Sequence, residues 1–236
     1  TENSMAAIGI TSQRQGVGFL DKDGRELYLA PNLDLRAVFE GAALDDDFPD
    51  IVYATTGHLP SFFFAPAKLR WFQANRPDVY DRIATVFTLA DWVAYRLTGE
   101  IAAQETLVAE AGLLEIASGG WATSLLEQLG LRTDCFPPLT KPCTSIGSVT
   151  KSVAKATGVK QGTPIVVAGP DTQCGLLAMG VVQPGDVGVL AGWSVTAQAI
   201  TAAPQPDAAK RTWVGRHVVP DRWIAEANAG DGGNAY

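Results

Sequence analysis

The sequence predicts an α/β protein, and three observations carry that expectation. Short β-branched runs such as "TPIVVAG" (163–169) read as buried strands. Segments with apolar residues at helical spacing and a closing glycine, such as "WATSLLEQLG" (121–130), read as helices. The two kinds alternate along 236 residues, a length that holds one large domain or two modest ones.

Taken in order, Ala6 to Thr11 and Gly16 to Leu20 are apolar strand-like runs. Lys22-Asp23-Gly24 is a turn signal before a third run, Glu26 to Leu29. The middle of the chain reads as helical. "APAKLRWFQAN" carries Pro66 at a first-turn position and Leu69 and Phe72 on one side. "LADWVAYRLTGE" sets Trp92, Val93, Arg96 and Leu97 at helical spacing, with Gly99 as the stop. In "WATSLLEQLG", Ala122, Leu125, Leu126 and Leu129 form one stripe. These stripes are expected to pack into the core.

The proline-rich "CFPPLTKPC" (135–143) is expected to be irregular, and "SIGSV" a short strand. Thr150 reads as the N-cap of "KSVAKATG". After the strand "TPIVVAG", Thr172 to Met179 is apolar enough for a packed helix. "DVGVLAG" and "SVTAQAIT" read as strands joined by a tight turn at Gly192-Trp193. "RTWVGRHVV" and "RWIAEANA" continue the β pattern around Pro220-Asp221.

Composition excludes several functions. With 47% hydrophobic and 18% charged residues, the chain is globular rather than disordered. A net charge of −7 with no Lys/Arg cluster argues against nucleic acid as a partner. The acidic run Asp45-Asp46-Asp47 lacks spaced ligands and is expected to be a solvated loop, not a metal site. Cys135, Cys143 and Cys174 form no Cys-x-x-Cys pair, which fits a reducing, cytoplasmic setting and no zinc site. His58 and His217 are the only histidines and are expected to be structural or on the surface. No 18-residue apolar stretch or signal peptide is visible, so no membrane partner is expected.

Three polar constellations carry candidate chemistry. Gln13, Arg14 and Gln15 in "ITSQRQG" follow the first strand; their forked donors and carbonyl acceptors suit a polyhydroxylated ligand, or merely a polar strand end. Asp171 in "VVAGPDTQCG" follows a buried strand and precedes a helix, where open α/β sheets place ligand chemistry. On the bare pattern the helix N-cap is the preferred reading. "LAGWSVTAQ" contains a Gly-x-Ser turn that can present a hydroxyl to a phosphate, or serve only hairpin geometry.

The order of these three features, with the helical middle between them, resembles the FGGY carbohydrate kinases. The likeness runs through "IGITSQRQGVGFLDKDGREL", "APAKLRWFQANRPDVYDRIATVFTLADWVAYRLTGE", "GGWATSLLEQLGL" and "VKQGTPIVVAGPDTQCGLLAMGVVQPGDVGVLAG". The resemblance implies a two-domain fold of the actin/hexokinase (ribonuclease H-like) type, with residues 1–180 as the N-terminal sugar domain and 181–236 as the beginning of the ATP domain. It implies ATP-dependent phosphorylation of a small sugar or polyol, ketopentose-like, with Mg2+ carried by the nucleotide and no resident metal. Asp171 matches the general base, which hydrogen bonds from backbone N–H groups would keep ionised. Gln13, Arg14, Gln15, Thr106 and Thr172 match sugar-binding positions, and Gly192, Trp193 and Ser194 the phosphate-facing turn. A homodimer is the default assembly.

The sequence also departs from the family. Trp193 replaces a hydroxyl residue of the usual Gly-Thr-Ser or Gly-Thr-Gly turn, so either Ser194 supplies the hydroxyl or the phosphate contact is altered. Relative to the family, a starting segment and most of the second domain are missing, so an incomplete chain is expected. These departures leave a second expectation open, a non-catalytic sugar-binding or regulatory relic of the kinase fold.

Overall fold

The computed structural model describes residues 5–192 and 194–230. β1 (Ile8–Ser12), β2 (Val17–Leu20) and β3 (Glu26–Ala30) come first. α1 (Val38–Asp47), α2 (Pro49–Thr56), a 3-10 turn at Ser61–Phe63, α3 (Ala65–Asn75) and α4 (Pro77–Tyr80) follow. β4 (Thr85–Thr88) runs into α5 (Leu89–Thr98), and β5 (Ala103–Gln104) into α6 (Glu105–Glu110). α7 (Thr123–Gln128), β6 (Leu139–Thr140), β7 (Ser145–Ser148) and α8 (Lys151–Thr157) lead to β8 (Pro164–Pro170) and α9 (Asp171–Ala178). β9 (Val187–Ala191), β10 (Val195–Thr201), β11 (Trp213–Arg216) and β12 (Trp223–Asn228) complete the described elements.

The strands form four sheets. β8 lies between β1, which it pairs in parallel, and β7, which it pairs antiparallel. β2 lies between β3 and β4, both antiparallel to it. β5 and β6 make a two-residue parallel pair. β9 to β12 form an antiparallel sheet in the order β11-β12-β10-β9.

The largest core cluster gathers Phe19, Leu69, Phe72, Val86, Leu114 and Leu125. A second places Ala90 and Ala94 of α5 against Ile165 and Val167 of β8. A third joins Leu176 of α9 to Ile200 and Ile224 of the antiparallel sheet. Thr150 caps α8, its side chain accepting from the Val153 N–H, and Pro66 sits in the first turn of α3.

Several expectations need correction. The acidic run Asp45-Asp46-Asp47 is no loop but the last turn of α1, where Asp45 accepts the Ser61 N–H at 3.0 Å. The face of α5 that enters the core is Ala90, Asp91, Ala94 and Thr98, whose small side chains let the helix approach the sheet. Trp92 and Arg96 point outward and both bond Glu26. The proline-rich connection is not wholly irregular, since it contributes β6.

Candidate active site

Two strands that end side by side create the site. The parallel register sets Ser12 opposite Pro170, so the residues after each strand, Gln13 to Gln15 and Asp171, emerge at one edge. Gly169, just before, has φ +139, and a Cβ there would stand 2.5 Å from Val218 Cγ1 and 3.0 Å from Thr106 Oγ1. Glycine is needed at that close approach.

Arg14 lies at the centre of a buried polar network. Its Nη1 donates to Glu110 Oε2 at 3.2 Å and Glu226 Oε2 at 2.5 Å, and its Nη2 donates to Glu226 Oε1 at 2.9 Å. Arg14 is 7% exposed and both glutamates are 1% exposed, which is tolerated because the charges are paired. Gln173 Nε2 donates to Glu110 Oε1 at 2.8 Å, and Gln198 Nε2 to Glu226 Oε2 at 2.5 Å. His58 Nε2 stands 3.8 Å from Glu110 Oε2. Its Nδ1 lies 2.6 Å from the Thr56 carbonyl, which only accepts, so Nδ1 carries the proton. Burial opposes the charge on Arg14, but Glu110 and Glu226 raise its pKa. Burial likewise opposes the charge on Glu110, and Arg14 and His58 bring its pKa below the usual carboxylate value.

The other predicted residues are spread around this network. Gln15 is buried with φ 60, a left-handed backbone that is strained for a side chain with a Cβ. Its Nε2 has no partner among the described residues. The fully buried Lys68 holds the Gln15 carbonyl at 3.2 Å and the Phe63 carbonyl at 2.8 Å, and burial lowers its pKa to about 8. Gln13 is half-buried. Thr106 lies fully buried beneath the site and donates to Gln104 Oε1 at 2.8 Å. Thr172, half-buried, donates to Gln173 Oε1 at 2.5 Å.

Asp171 is the first residue of α9 rather than its cap: Pro170 occupies the N-cap position. The Thr172 N–H donates to Asp171 Oδ1 at 2.8 Å. Contrary to the expectation of a carboxylate kept ionised by backbone N–H groups, its pKa is raised. Desolvation by the surrounding protein outweighs the Thr172 hydrogen bond and the attraction of Arg14, and Glu110 adds to the rise. The side chain nevertheless keeps an exposed face. A desolvated, accessible carboxylate with a raised pKa can accept a proton from a ligand hydroxyl.

The family description "FGGY family of carbohydrate kinases, N-terminal domain" matches residues 1–178. The chain belongs to the FGGY family of carbohydrate kinases. An autoinducer-2 kinase of Escherichia coli (strain SMS-3-5 / SECEC) is 34% identical over 227 residues, which cover 94% of this chain and 43% of that protein. A xylulose kinase from Rhodospirillum rubrum superposes with a TM-score of 0.88 at 28% identity, covering 98% of this chain and 47% of that one. A gluconate kinase from Lactobacillus acidophilus superposes with a TM-score of 0.90 at 19% identity, covering 97% and 47%. The fold is therefore the actin/hexokinase-like fold of the FGGY kinases, and this chain spans less than half the length of each of these three relatives.

FGGY kinases use ATP, and the turn after β9 is the segment to compare with a phosphate. β9 runs from Gly188, beside Leu176, to Leu190, beside Gly175, so it approaches the Asp171 end of α9. Gly192 is exposed, and among the described residues other than its chain neighbours a Cβ there would meet the Ser194 carbonyl, at 3.9 Å. The Gly192 N–H, however, donates to that carbonyl at 2.9 Å. That N–H is therefore not free to meet a phosphate in this arrangement. Trp193 lies outside the described residues.

Glu110, Gln173, Gln198, Glu226, His58 and Lys68 were not singled out as site residues from the FGGY sequence pattern. Some left a trace there. In β12, Glu226 alternates with Ile224 on the buried face, and in β10 Gln198 alternates with Ile200. A polar side chain in the inward phase of a strand signals a buried partner. Glu110 ends a six-residue helix too short to show a face.

Proposed function

We propose that the protein phosphorylates a hydroxyl of a small sugar or polyol, ketopentose-like, at the expense of ATP, with Asp171 as general base. The observation that carries this reading is the convergence of Asp171 and the Arg14–Gln15 segment at the adjoining ends of β8 and β1. Residues 1–180 are read as the sugar-binding domain and 181–236 as the beginning of the ATP-binding domain. MgATP supplies the transferable phosphoryl group when bound. Asp171 takes the proton of the acceptor hydroxyl as its oxygen attacks. Gln15, whose buried Nε2 has no partner among the described residues, and the Arg14 donors not spent on the glutamates orient the sugar hydroxyls. Gln13 and Thr172 line the same edge, Thr106 supports Gly169 beneath the base, and the Ser194 hydroxyl receives the phosphate.

The test is Asp171→Asn in the intact enzyme, followed by ADP release. Turnover is expected to fall by roughly 10²–10⁴-fold, with an unchanged melting curve. Near-wild-type phosphorylation would remove Asp171 from the mechanism. One observation favours a second reading, a sugar-binding relic without turnover: the Gly192 N–H is spent on Ser194. Sugar binding by the intact protein with no ADP release would support it.

A further inference from the structure

We propose that Lys68 is a positioning residue for the sugar site: its ammonium group grips the Gln15 carbonyl and so sets the backbone that turns the Gln15 amide toward the acceptor. This rests on the reading that Gln15 binds the sugar. In the segment after β1, Gln15 has a positive φ, 60, and Gln13 and Arg14 do not. A residue with a Cβ keeps that conformation only where its surroundings fix it. Here the chain is fixed on both sides. Arg14 is held by Glu110 and Glu226. The peptide between Gln15 and Gly16 is held by Lys68 Nζ, which reaches from α3 and donates to the Gln15 carbonyl at 3.2 Å. Gly16 itself is closed in, since a Cβ there would stand 2.6 Å from Leu89 Cδ1 and 3.4 Å from the Ala30 carbonyl. With both neighbours set, the direction of the Gln15 side chain is set as well. Its Nε2 is buried without a partner among the described residues, a donor whose acceptor a sugar hydroxyl can supply.

The use of a lysine points to this task. Lys68 is fully buried, and a buried ammonium is costly unless it is compensated. Desolvation is the main influence on it, and Asp34, which favours its charge, is opposed by Arg36. The Asp34 carboxylate is engaged elsewhere, accepting from the Tyr28 hydroxyl and from Arg36 Nε, each at 2.7 Å. The hydrogen bonds of Lys68 go instead to two carbonyls, Phe63 at 2.8 Å and Gln15 at 3.2 Å. An apolar side chain of similar length would fill the slot on α3 without the desolvation cost and would support the core at least as well. It could not join the loop after β1 to the 3-10 turn before α3. Phe63 is five residues from Lys68 and Gln15 is 53 away. The nearer carbonyl holds the ammonium in place, and the farther one is what it positions.

The test is a double-mutant cycle on the intact enzyme, with D-xylulose as the acceptor and ADP release as the readout. Lys68→Met fills most of the same space and removes both hydrogen bonds. The KM for D-xylulose is expected to rise roughly 10–100-fold, with kcat changed by about threefold or less and the KM for ATP unchanged. Gln15→Gly adopts the left-handed backbone freely but carries no amide. Its KM for D-xylulose is expected to rise too, and adding K68M to it is expected to raise the value by no more than about twofold further. A lysine that merely supports the core would lower the melting temperature and give effects that multiply. Should K68M not fold, Lys68→Gln, whose head stops one bond short of Nζ, takes its place. An unchanged KM in the folded Lys68 variant overturns the positioning role. So does an unchanged KM in Gln15→Gly, or a full-sized further rise when the two are combined. Each of these leaves the kinase reading standing, because ADP release by the wild type measures it separately. No ADP release by the wild type with D-xylulose overturns the ketopentose reading and the positioning role together.

Discussion

Glu110 sets how basic Asp171 is, and it does so without touching substrate. Desolvation is the main cause of the raised Asp171 pKa, Arg14 works against it, and Glu110 works with it. Removing the negative charge of Glu110 makes the ionised form of Asp171 less costly, so the carboxyl titrates at lower pH. Glu110→Gln keeps an oxygen for the Gln173 amide and leaves Arg14 its bidentate grip on Glu226. The acid limb of the kcat/KM profile is therefore expected to move to lower pH in that variant, and to higher pH in Arg14→Gln. A profile measured from pH 4 to 9 checks both directions, and a limb that moves in neither contradicts electrostatic control. Asp171 and Arg14 stood out in the sequence because each follows a strand. Glu110 and Glu226 did not, because their importance lies in a contact with Arg14 made across 96 and 212 residues. No local pattern encodes such a separation.

At the scale of elements, the junction of β4 and α5 shows how a buried acid supports the site from below. Thr88 and Asp91 form a capping box at the start of α5. Asp91 Oδ2 accepts from the Thr88 N–H and hydroxyl at 3.2 and 2.7 Å. Oδ1 accepts from the Gln104 N–H at 3.0 Å, tying α5 to the strand that precedes α6. Burial pushes the Asp91 pKa from 3.8 to about 7 despite these bonds. The unfolded chain releases this proton near 3.8 and the folded chain near 7. Its contribution is fully present below the lower value and is lost as pH rises through the upper one. The difference amounts to at most about 4 kcal/mol. Asp91→Asn abolishes the titration, so the melting temperature of the wild type relative to the variant is expected to fall between pH 4.5 and 7.5. A constant difference across that range argues against a buried titrating Asp91. Long or capped elements here were legible in the sequence. α3 had its proline, α5 and α8 their closing glycines, and β8 its β-branched run. β4 and α6, with four and six residues, were not, since neither shows a full turn of pattern or a clear alternation.

At the scale of the whole molecule, the antiparallel sheet is bound to the helical middle by side chains that penetrate it. Trp213 packs edge-on against Phe64 at 5.5 Å and donates to the Leu59 carbonyl at 2.5 Å. Trp223 and Arg216 both donate to the Ile116 carbonyl, at 2.9 and 3.2 Å. Val214 and Gly57 are joined by a backbone hydrogen bond of 2.9 Å, and the Arg14–Glu226 pair closes the same interface from the β1 side. The sequence showed strands after residue 186 but not what they pack on. Only the resemblance to the FGGY kinases brought "ITSQRQG", "VVAGPDTQCG" and "LAGWSVTAQ" to one cleft. With the interface this closely bonded, the described residues are expected to unfold as one cooperative unit. Six tryptophans are present, and Trp71 and Trp92 lie on α3 and α5. In a background with Trp71, Trp92, Trp121 and Trp193 changed to Phe, Trp213 and Trp223 are the fluorescent probes and both lie in the sheet, while far-UV circular dichroism follows the helices of the other layer. The two melting curves of that background are therefore expected to coincide. Trp213→Ala removes the aromatic contacts and the Leu59 hydrogen bond, at a cost of about 3 kcal/mol. It is expected to lower the helical and the fluorescence transitions by the same number of degrees, with Trp223 still reporting from the sheet. If the fluorescence transition alone moves, or if two transitions separate in that background, the sheet is an independent unit and Arg14 is not held across a single rigid core.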